Sequence, residues 1–212
     1  MSSQKPVLVI FGGPNGSGKS SIFKGYSTRI PDYYINADAI TMSKIDQMGI
    51  QSVSSKRLRE INLEAAQEAD RLREDAISAR RSFATETVMS TNKGIEIMQA
   101  AKGRGYHVHL VYVVTYDPEI NVKRIQTRVA KGGHPVPQEK IVSRYDRCME
   151  LLPQEILIAD VAEVYNNSLQ KPVLILEKTS DGDIAIYPQK PPSEWNRIKL
   201  ENLKNTILRL GG

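Results

Sequence analysis

The sequence predicts an α/β fold, a three-layer sandwich around a mostly parallel, five-stranded sheet. Three observations lead there. Strand-like and helix-like patterns alternate as far as Tyr165, which is how crossover connections build parallel sheets. A glycine-rich loop, GGPNGSGKSS from Gly12 to Ser21, joins an apolar run to a helix-compatible stretch. The chain has 212 residues, enough for one sizeable core and too few for two ordinary domains. Residues 1–212 are therefore read as a single domain.

The elements follow in order. Pro6 to Gly12 is apolar throughout and reads as a buried strand. Lys19 to about Arg29 reads as a helix, stopped near Pro31. Tyr33 to Asn36 is a short strand leading to Asp38. Ser54 to Arg81 is a long amphipathic helix. Its apolar positions Leu58, Ile61, Ala65, Ala69, Leu72 and Ala76 step by three or four, and its charged side reads as a solvated face. Ser82 to Thr87 is a third strand. Thr91 to Arg104 is a helix ended by Gly103 and Gly105. Tyr106 to Thr115 alternates and then fills with Val and Tyr, a strong strand. Asp117-Pro118 opens a helix to about Lys131, with Asp as N-cap and Pro as first residue. Gly132 to Pro137 is a loop. Pro137 to Met149 is helical, with another turn or two after Pro153. Val161 to Tyr165 is the fifth strand. Pro172 to Lys178 and Ile184 to Tyr187 form a C-terminal β-hairpin, and Glu194 to Leu210 is a final helix.

Composition narrows the function classes. The chain is 40% hydrophobic and 25% charged, ordinary for a soluble globular protein. No apolar run approaches a membrane span, and MSSQKPVLVI lacks a signal peptide's basic start and cleavage site. The expectation is a cytoplasmic protein without a membrane partner. The single cysteine, Cys148, makes no internal disulfide and has no histidine near it in sequence, which argues against thiol catalysis. The net charge of +5 is too small an excess to argue for nucleic acid, because many arginines lie in segments a phosphate-transfer site would use.

Gly13-Pro14-Asn15-Gly16-Ser17-Gly18-Lys19-Ser20 fits G-x-x-x-x-G-K-[ST] completely. It follows a strand and opens a helix, the context in which backbone N–H groups and a helix N-terminus hold phosphate. Lys19 is expected at the β- and γ-phosphates, Ser20 at Mg²⁺, and Ser21 beside them at the nucleotide. There is no LSGGQ-type loop, no Asp-Glu strand end and no NKxD motif, so a transporter-type ATPase and a GTPase are not supported. Asp117 is better explained as a helix cap than as a metal ligand.

Transfer of the phosphate to a hydroxyl needs a carboxylate near that hydroxyl and arginines over the moving group. Asp38 and Glu86 sit just past the second strand and at the end of the third, so both are expected to face the crevice that holds Lys19. Thr87, next to Glu86, is a further acceptor-side candidate. Arg124 and Arg128 share a helix face, and Arg144 and Arg147 lie on the next helix. Two basic helices joined by GGHPVP suggest a lid, with Arg128 and Arg144 its functional arginines. His107 and His109 read as structural, and His134 as a surface loop residue. Tyr165 and Asn166 close the fifth strand, where a nucleotide base would rest.

With the phosphate loop, NAD at 36–38, TETVMST at 85–91 and RVAKGGHPVPQEKIVSRYDR at 128–147, the chain resembles the zeta toxin family of P-loop kinases over roughly Val7 to Ser168. That resemblance implies a five-stranded parallel sheet flanked by helices and a kinase that phosphorylates a sugar hydroxyl of UDP-N-acetylglucosamine. It implies ATP and Mg²⁺ as cofactors, held by Lys19 and Ser20. It implies Asp38 as base, Glu86 as a substrate contact, Arg128 and Arg144 as lid arginines, and Tyr165-Asn166 near the base. An antitoxin protein is the implied partner. No segment here is identifiable as the family's substrate-binding insertion. A polynucleotide or nucleoside kinase, and a nucleotide-dependent regulatory module without transfer chemistry, remain the alternative readings.

Overall fold

The apolar run at 7–12 becomes the middle of the sheet because parallel strands must be buried on both faces. In the computed structural model, which describes residues 5–26, 30–49, 53–131, 133, 136–187 and 194–211, β1 (Val7–Gly12) lies between β3 (Phe83–Glu86) and β4 (His107–Val114). β2 (Tyr34–Asn36) pairs beyond β3 and β5 (Val161–Asn166) beyond β4, all in parallel. The C-terminal hairpin, β6 (Val173–Lys178) and β7 (Ile184–Ile186), does not stand apart. It continues the sheet antiparallel to β5, giving seven strands in the order β2-β3-β1-β4-β5-β6-β7. The expected five-stranded parallel sheet is thus the larger part of a seven-stranded mixed one.

Alternation along β1 divides the core. Leu8 and Ile10 join the large cluster supplied by α3 (Ser55–Ser78), α4 (Lys93–Gly103), α6 (Gln138–Ile158) and α7 (Glu194–Gly211), including Ala69, Met98, Leu152 and Ile207. Val9 and Phe11 point to the other face, where α1 (Lys19–Tyr26) packs Ile22, Phe23 and Tyr26 against them. A satellite cluster of Val122, Ile125 and Ile141 joins α5 (Pro118–Ala130) to α6. Asp117 caps α5 as expected, its Oδ1 accepting from Glu119 N at 2.8 Å.

Two helices differ from the sequence expectation. Residues 37–47 form α2 (Ala37–Gln47), where no helix was expected. Its only buried residue is Thr41, so it carries almost no apolar periodicity. Its start is set by a cap instead: Asn36 Oδ1 accepts from Asp38 N at 2.8 Å and Ala39 N at 3.3 Å. The second difference is at Pro153, where α6 runs through without a break. Proline removes one intrahelical bond, but Ile141, Tyr145, Cys148, Leu152 and Ile156 form one buried stripe across it, and that packing keeps the helix whole.

The register sets the site. Asn36, Glu86 and Phe11 are neighbours across three parallel strands, so β2, β3 and β1 end level with one another. Thr87 N donates to Phe11 O at 3.0 Å, extending the pairing one residue further. The order of connections reverses beside β1, and the crevice at the carboxyl ends opens there. Among the described residues no helix is long and apolar enough to cross a membrane. Gly132, His134 and 27–29, the expected end of the first helix, lie outside the described residues.

Candidate active site

The loop after β1 is held by side chains that fix its carbonyls and leave its interior polar. Gly13 and Gly18 adopt φ of 134° and 96°, a region only glycine enters freely, and a Cβ on Gly18 would collide with the Asn167 amide. Asn121, fully buried on α5 and bonded to the Thr115 hydroxyl, donates to Asn15 O at 2.7 Å. Asn167 donates to Ser17 O at 2.8 Å. Arg124 reaches both Ser17 O at 3.3 Å and Asn167 O at 2.7 Å, and Arg144 Nη1 donates to Asn15 Oδ1 at 3.1 Å. The loop is therefore preset rather than shaped by what enters it.

Lys19 is buried, and its ammonium donates to Gly13 O at 2.9 Å and Pro14 O at 3.1 Å. Burial lowers its pKa; the Glu86 carboxylate is the main charge opposing that, with Asp38 acting in the same sense and Arg128 in the opposite one. The hydroxyl of Ser17 is buried and bonds to nothing among the described residues. A desolvated ammonium, an orphaned hydroxyl and inward glycine backbone make a cradle suited to an anionic phosphate tail.

Facing the loop is a carboxylate held from three directions. Glu86 at the end of β3 accepts from Ser20 Oγ at 3.3 Å, from Tyr34 OH at 3.0 Å and from Asn36 Nδ2 at 3.3 Å. Burial, then Glu86, pushes the Tyr34 phenol well above its ordinary pKa, so it stays a donor. Asn36 also caps α2 and thereby sets Asp38 in the first helical turn. No described side chain bonds to the Asp38 carboxylate.

Lys19, Ser20, Asp38, Glu86, Arg128 and Arg144 all line one cleft of about 570 Å³. Ser21, Thr87 and Arg124 line it too, as do the loop residues Asn15, Gly16 and Gly18. Gly13, Pro14 and Ser17 belong to the loop but are not among the residues lining the cleft. Arg124 differs from a mobile lid arginine, since both its bonds brace the loop against the end of β5. Arg147 donates to Ser90 O at 3.2 Å and ties α6 to the segment after β3.

Tyr165 and Asn166 are not among the residues lining this cleft. The Tyr165 hydroxyl bonds to Glu163, which also takes Tyr26 and, at 2.9 Å, His109 Nε2. Burial acts against the Glu163 carboxylate, but these donors bring it down to about 2. Asn166 Oδ1 accepts from Ser168 N at 3.0 Å. The residue at this strand end that reaches the loop is Asn167, one position on. Cys148 is buried, its thiol pushed up to about 12.

Sequence reasoning also missed Asn121, Asn36 and Tyr34, which bond to the phosphate loop or to Glu86. Of these only Asn36 carried a local signal, a cap residue directly before Asp38. Missed as well were Asp70, Arg73 and Lys93, which line the same cleft. Among the described residues no group of three or more His, Cys, Asp or Glu side chains is arranged to hold a metal.

Comparison with known proteins gives a consistent picture. A family model described as Zeta toxin matches residues 1–179. A Haemophilus influenzae protein of uncharacterised function is 31% identical over 137 residues, 65% of this chain and 91% of that protein. Among solved structures, the PezAT chromosomal toxin-antitoxin system of Streptococcus pneumoniae matches at TM-score 0.59 and 18% identity, over 99% of this chain and 88% of that one. The AvrRxo1-ORF1:-ORF2 complex with ATP matches at TM-score 0.71 and 16% identity, over 95% of this chain and 64% of that one. At these identities the structural likeness speaks to the fold.

Proposed function

This chain belongs to the zeta toxin family, and from that premise we propose that it is an ATP- and Mg²⁺-dependent phosphotransferase whose acceptor is a small-molecule hydroxyl. A nucleotide sugar such as UDP-N-acetylglucosamine is the acceptor we infer. The observation that carries this is the convergence of Lys19, Ser20, Asp38, Glu86, Arg128 and Arg144 on one cleft. ATP as the donor is supported by the ATP complex of the structurally similar AvrRxo1 protein. Both structural relatives are described with companion chains, one as a toxin-antitoxin system, which supports an antitoxin partner here.

The residues divide the work. Lys19 exchanges its two loop carbonyls for β- and γ-phosphate oxygens, a stronger charge-assisted pairing. The hydroxyl of Ser20 and the carboxylate of Glu86 are adjacent oxygen donors, and oxygen is what Mg²⁺ takes. A bound Mg²⁺ would supply charge neutralisation at the β- and γ-phosphates. Asp38 accepts the proton of the attacking hydroxyl. The new bond joins the acceptor oxygen to Pγ, the bond from Pγ to the bridging oxygen breaks, and ADP leaves. Arg128 and Arg144 neutralise the phosphoryl oxygens as charge moves through the transition state.

The test incubates purified protein with labelled ATP, Mg²⁺ and either UDP-N-acetylglucosamine, a mixture of hydroxyl metabolites or a 5′-hydroxyl oligonucleotide. Label on the nucleotide sugar supports the proposal. Label on the oligonucleotide alone favours a polynucleotide kinase, and no label on any acceptor overturns the transferase reading.

A further inference from the structure

Gly12 and Gly94 both make room for one methionine. Met89 lies in the segment that runs from the end of β3 along the cleft, where Thr87, Val88, Met89, Ser90 and Thr91 all line the wall. A Cβ on Gly12, the last residue of β1, would sit 2.4 Å from Met89 Sδ. A Cβ on Gly94, in the first turn of α4, would sit 2.8 Å from Met89 Cε and 3.3 Å from its Cγ. Neither glycine has a positive φ. Their small size therefore serves the fit of the methionine (at Gly12 also that of the Tyr112 ring) and not a turn of their own.

Met89 itself adopts a backbone conformation that suits glycine. Its φ is 55°, in the left-handed region that a Cβ disfavours, and it is only 2% exposed. Bonds on both flanks hold it there. Thr87 N donates to Phe11 O at 3.0 Å. From α6, Cys148 Sγ donates to Val88 O at 2.9 Å and Arg147 Nε to Ser90 O at 3.2 Å. Strain persists where the surroundings over-determine it, and at the wall of a cleft it points to a geometric role.

The phosphate loop starts at Gly13, directly after Gly12. β3 and β2, which end in Glu86 and Asn36, lie on one side of β1. Met89 thus joins the root of the phosphate loop to the wall beside the acids. We propose that Met89 is a positioning residue for phosphoryl transfer. It is a wedge between Gly12 and Gly94 that sets the separation of the phosphate loop from the acid-side wall, and with it the distance from Pγ to the attacking hydroxyl. An unbranched thioether suits such a gap. Buried between the two glycines, the side chain passes a push on to its own backbone, because a close-packed interior transmits strain. Calling that separation catalytic rests on the transferase reading; the wedge does not.

Gly94 is not among the residues lining the cleft, so Gly94→Ala pushes the wedge from behind. Its other neighbour, Glu155 Oε1, would lie 3.5 Å from the new methyl, an ordinary contact. The experiment is a double-mutant cycle over wild type, Gly94→Ala, Met89→Ala and the pair. It reads single-turnover transfer and ATP affinity, with thermal melts to check folding. Met89→Leu replaces Met89→Ala if the latter does not fold. Gly94→Ala is expected to slow transfer about 10- to 100-fold, the scale of a misplacement on the order of 1 Å, with ATP affinity within a factor of about three. In the Met89→Ala background the same change is expected to alter the rate by less than about twofold, as uncoupled sites do. Transfer at the wild-type rate in Gly94→Ala, or an equal loss in both backgrounds, overturns the proposal. If wild type labels no acceptor, the transferase reading fails and amide NMR decides the wedge. Gly94→Ala is then expected to move the Gly12 and Gly13 resonances when Met89 is present and to leave them in place in Met89→Ala. Unmoved resonances with Met89 present overturn it.

Discussion

Asn36 Nδ2 lies 3.3 Å from Glu86 Oε2, while Asn36 Oδ1 caps the helix that carries Asp38. One amide therefore links the two acids of the cleft, sharing Glu86 with Ser20 and Tyr34 while it caps the helix of Asp38. Replacing Asn36 by Ala removes the cap, worth about 1 kcal/mol of stability, and frees Glu86 and Asp38 to drift apart. A misplacement of that kind costs on the order of 100-fold in rate. Steady-state kinetics of Asn36→Ala with a labelled acceptor is expected to show that loss in kcat, with a melting temperature lowered by a few degrees.

Lys19 is held in place at the expense of its own solvation, which burial makes unfavourable for the charged form. Lys19→Met removes that buried charge along with the phosphate contact. Its expected signature is opposed: nucleotide affinity falls by a factor of about 100 or more, while the ligand-free protein melts no lower than wild type. Calorimetry with ATP and a thermal melt without it read the two effects separately.

Glu155 on α6 is fully buried, with neither carboxylate oxygen bonded among the described residues. Burial raises its pKa well above 4.5. The unfolded chain releases this proton near pH 4.5, and the folded chain keeps it to higher pH. Folding thus takes up a proton in that window, and stability falls as pH rises, by up to about 1.4 kcal/mol per pH unit. Glu155→Gln is expected to match wild type at pH 4 and to exceed it in denaturation midpoint at pH 7.5.

Asn167 supplies the amide that binds Ser17 O and crowds Gly18. Asn167→Ala loosens the phosphate loop without touching either acid. The prediction is a KM for ATP raised about tenfold, one hydrogen bond's worth, with the KM for the acceptor unchanged.

Much of this arrangement could be read before the fold was known, and the reasons are local. Lys19, Ser20, Asp38 and Glu86, which line one cleft, sit in short segments whose residue order marks them as candidates: a glycine loop into a helix, and acids just past strand ends. Asn121 and Asn167 carry no such mark, since each acts by reaching a carbonyl more than a hundred residues away in the chain. Tyr165 had a plausible address at a strand end, but alternation turns its side chain toward Tyr26 and Glu163. Arg73 was hidden by its type. It falls on the buried stripe of α3 between Ala69 and Ala76, and a charged residue there was read with the solvated face. The seven-stranded sheet was missed for a different reason: a hairpin's own pattern does not say which edge it joins.

The account stands on Asp38 acting on the acceptor and not on the nucleotide. Its direct test is single-turnover phosphoryl transfer by Asp38→Asn, with ATP affinity measured on the same preparation. The expected result is a rate lowered about 10²- to 10⁴-fold, the usual contribution of a positioned base, with ATP affinity within a factor of about three of wild type. Transfer at the wild-type rate, or an equal loss of ATP binding, would contradict it.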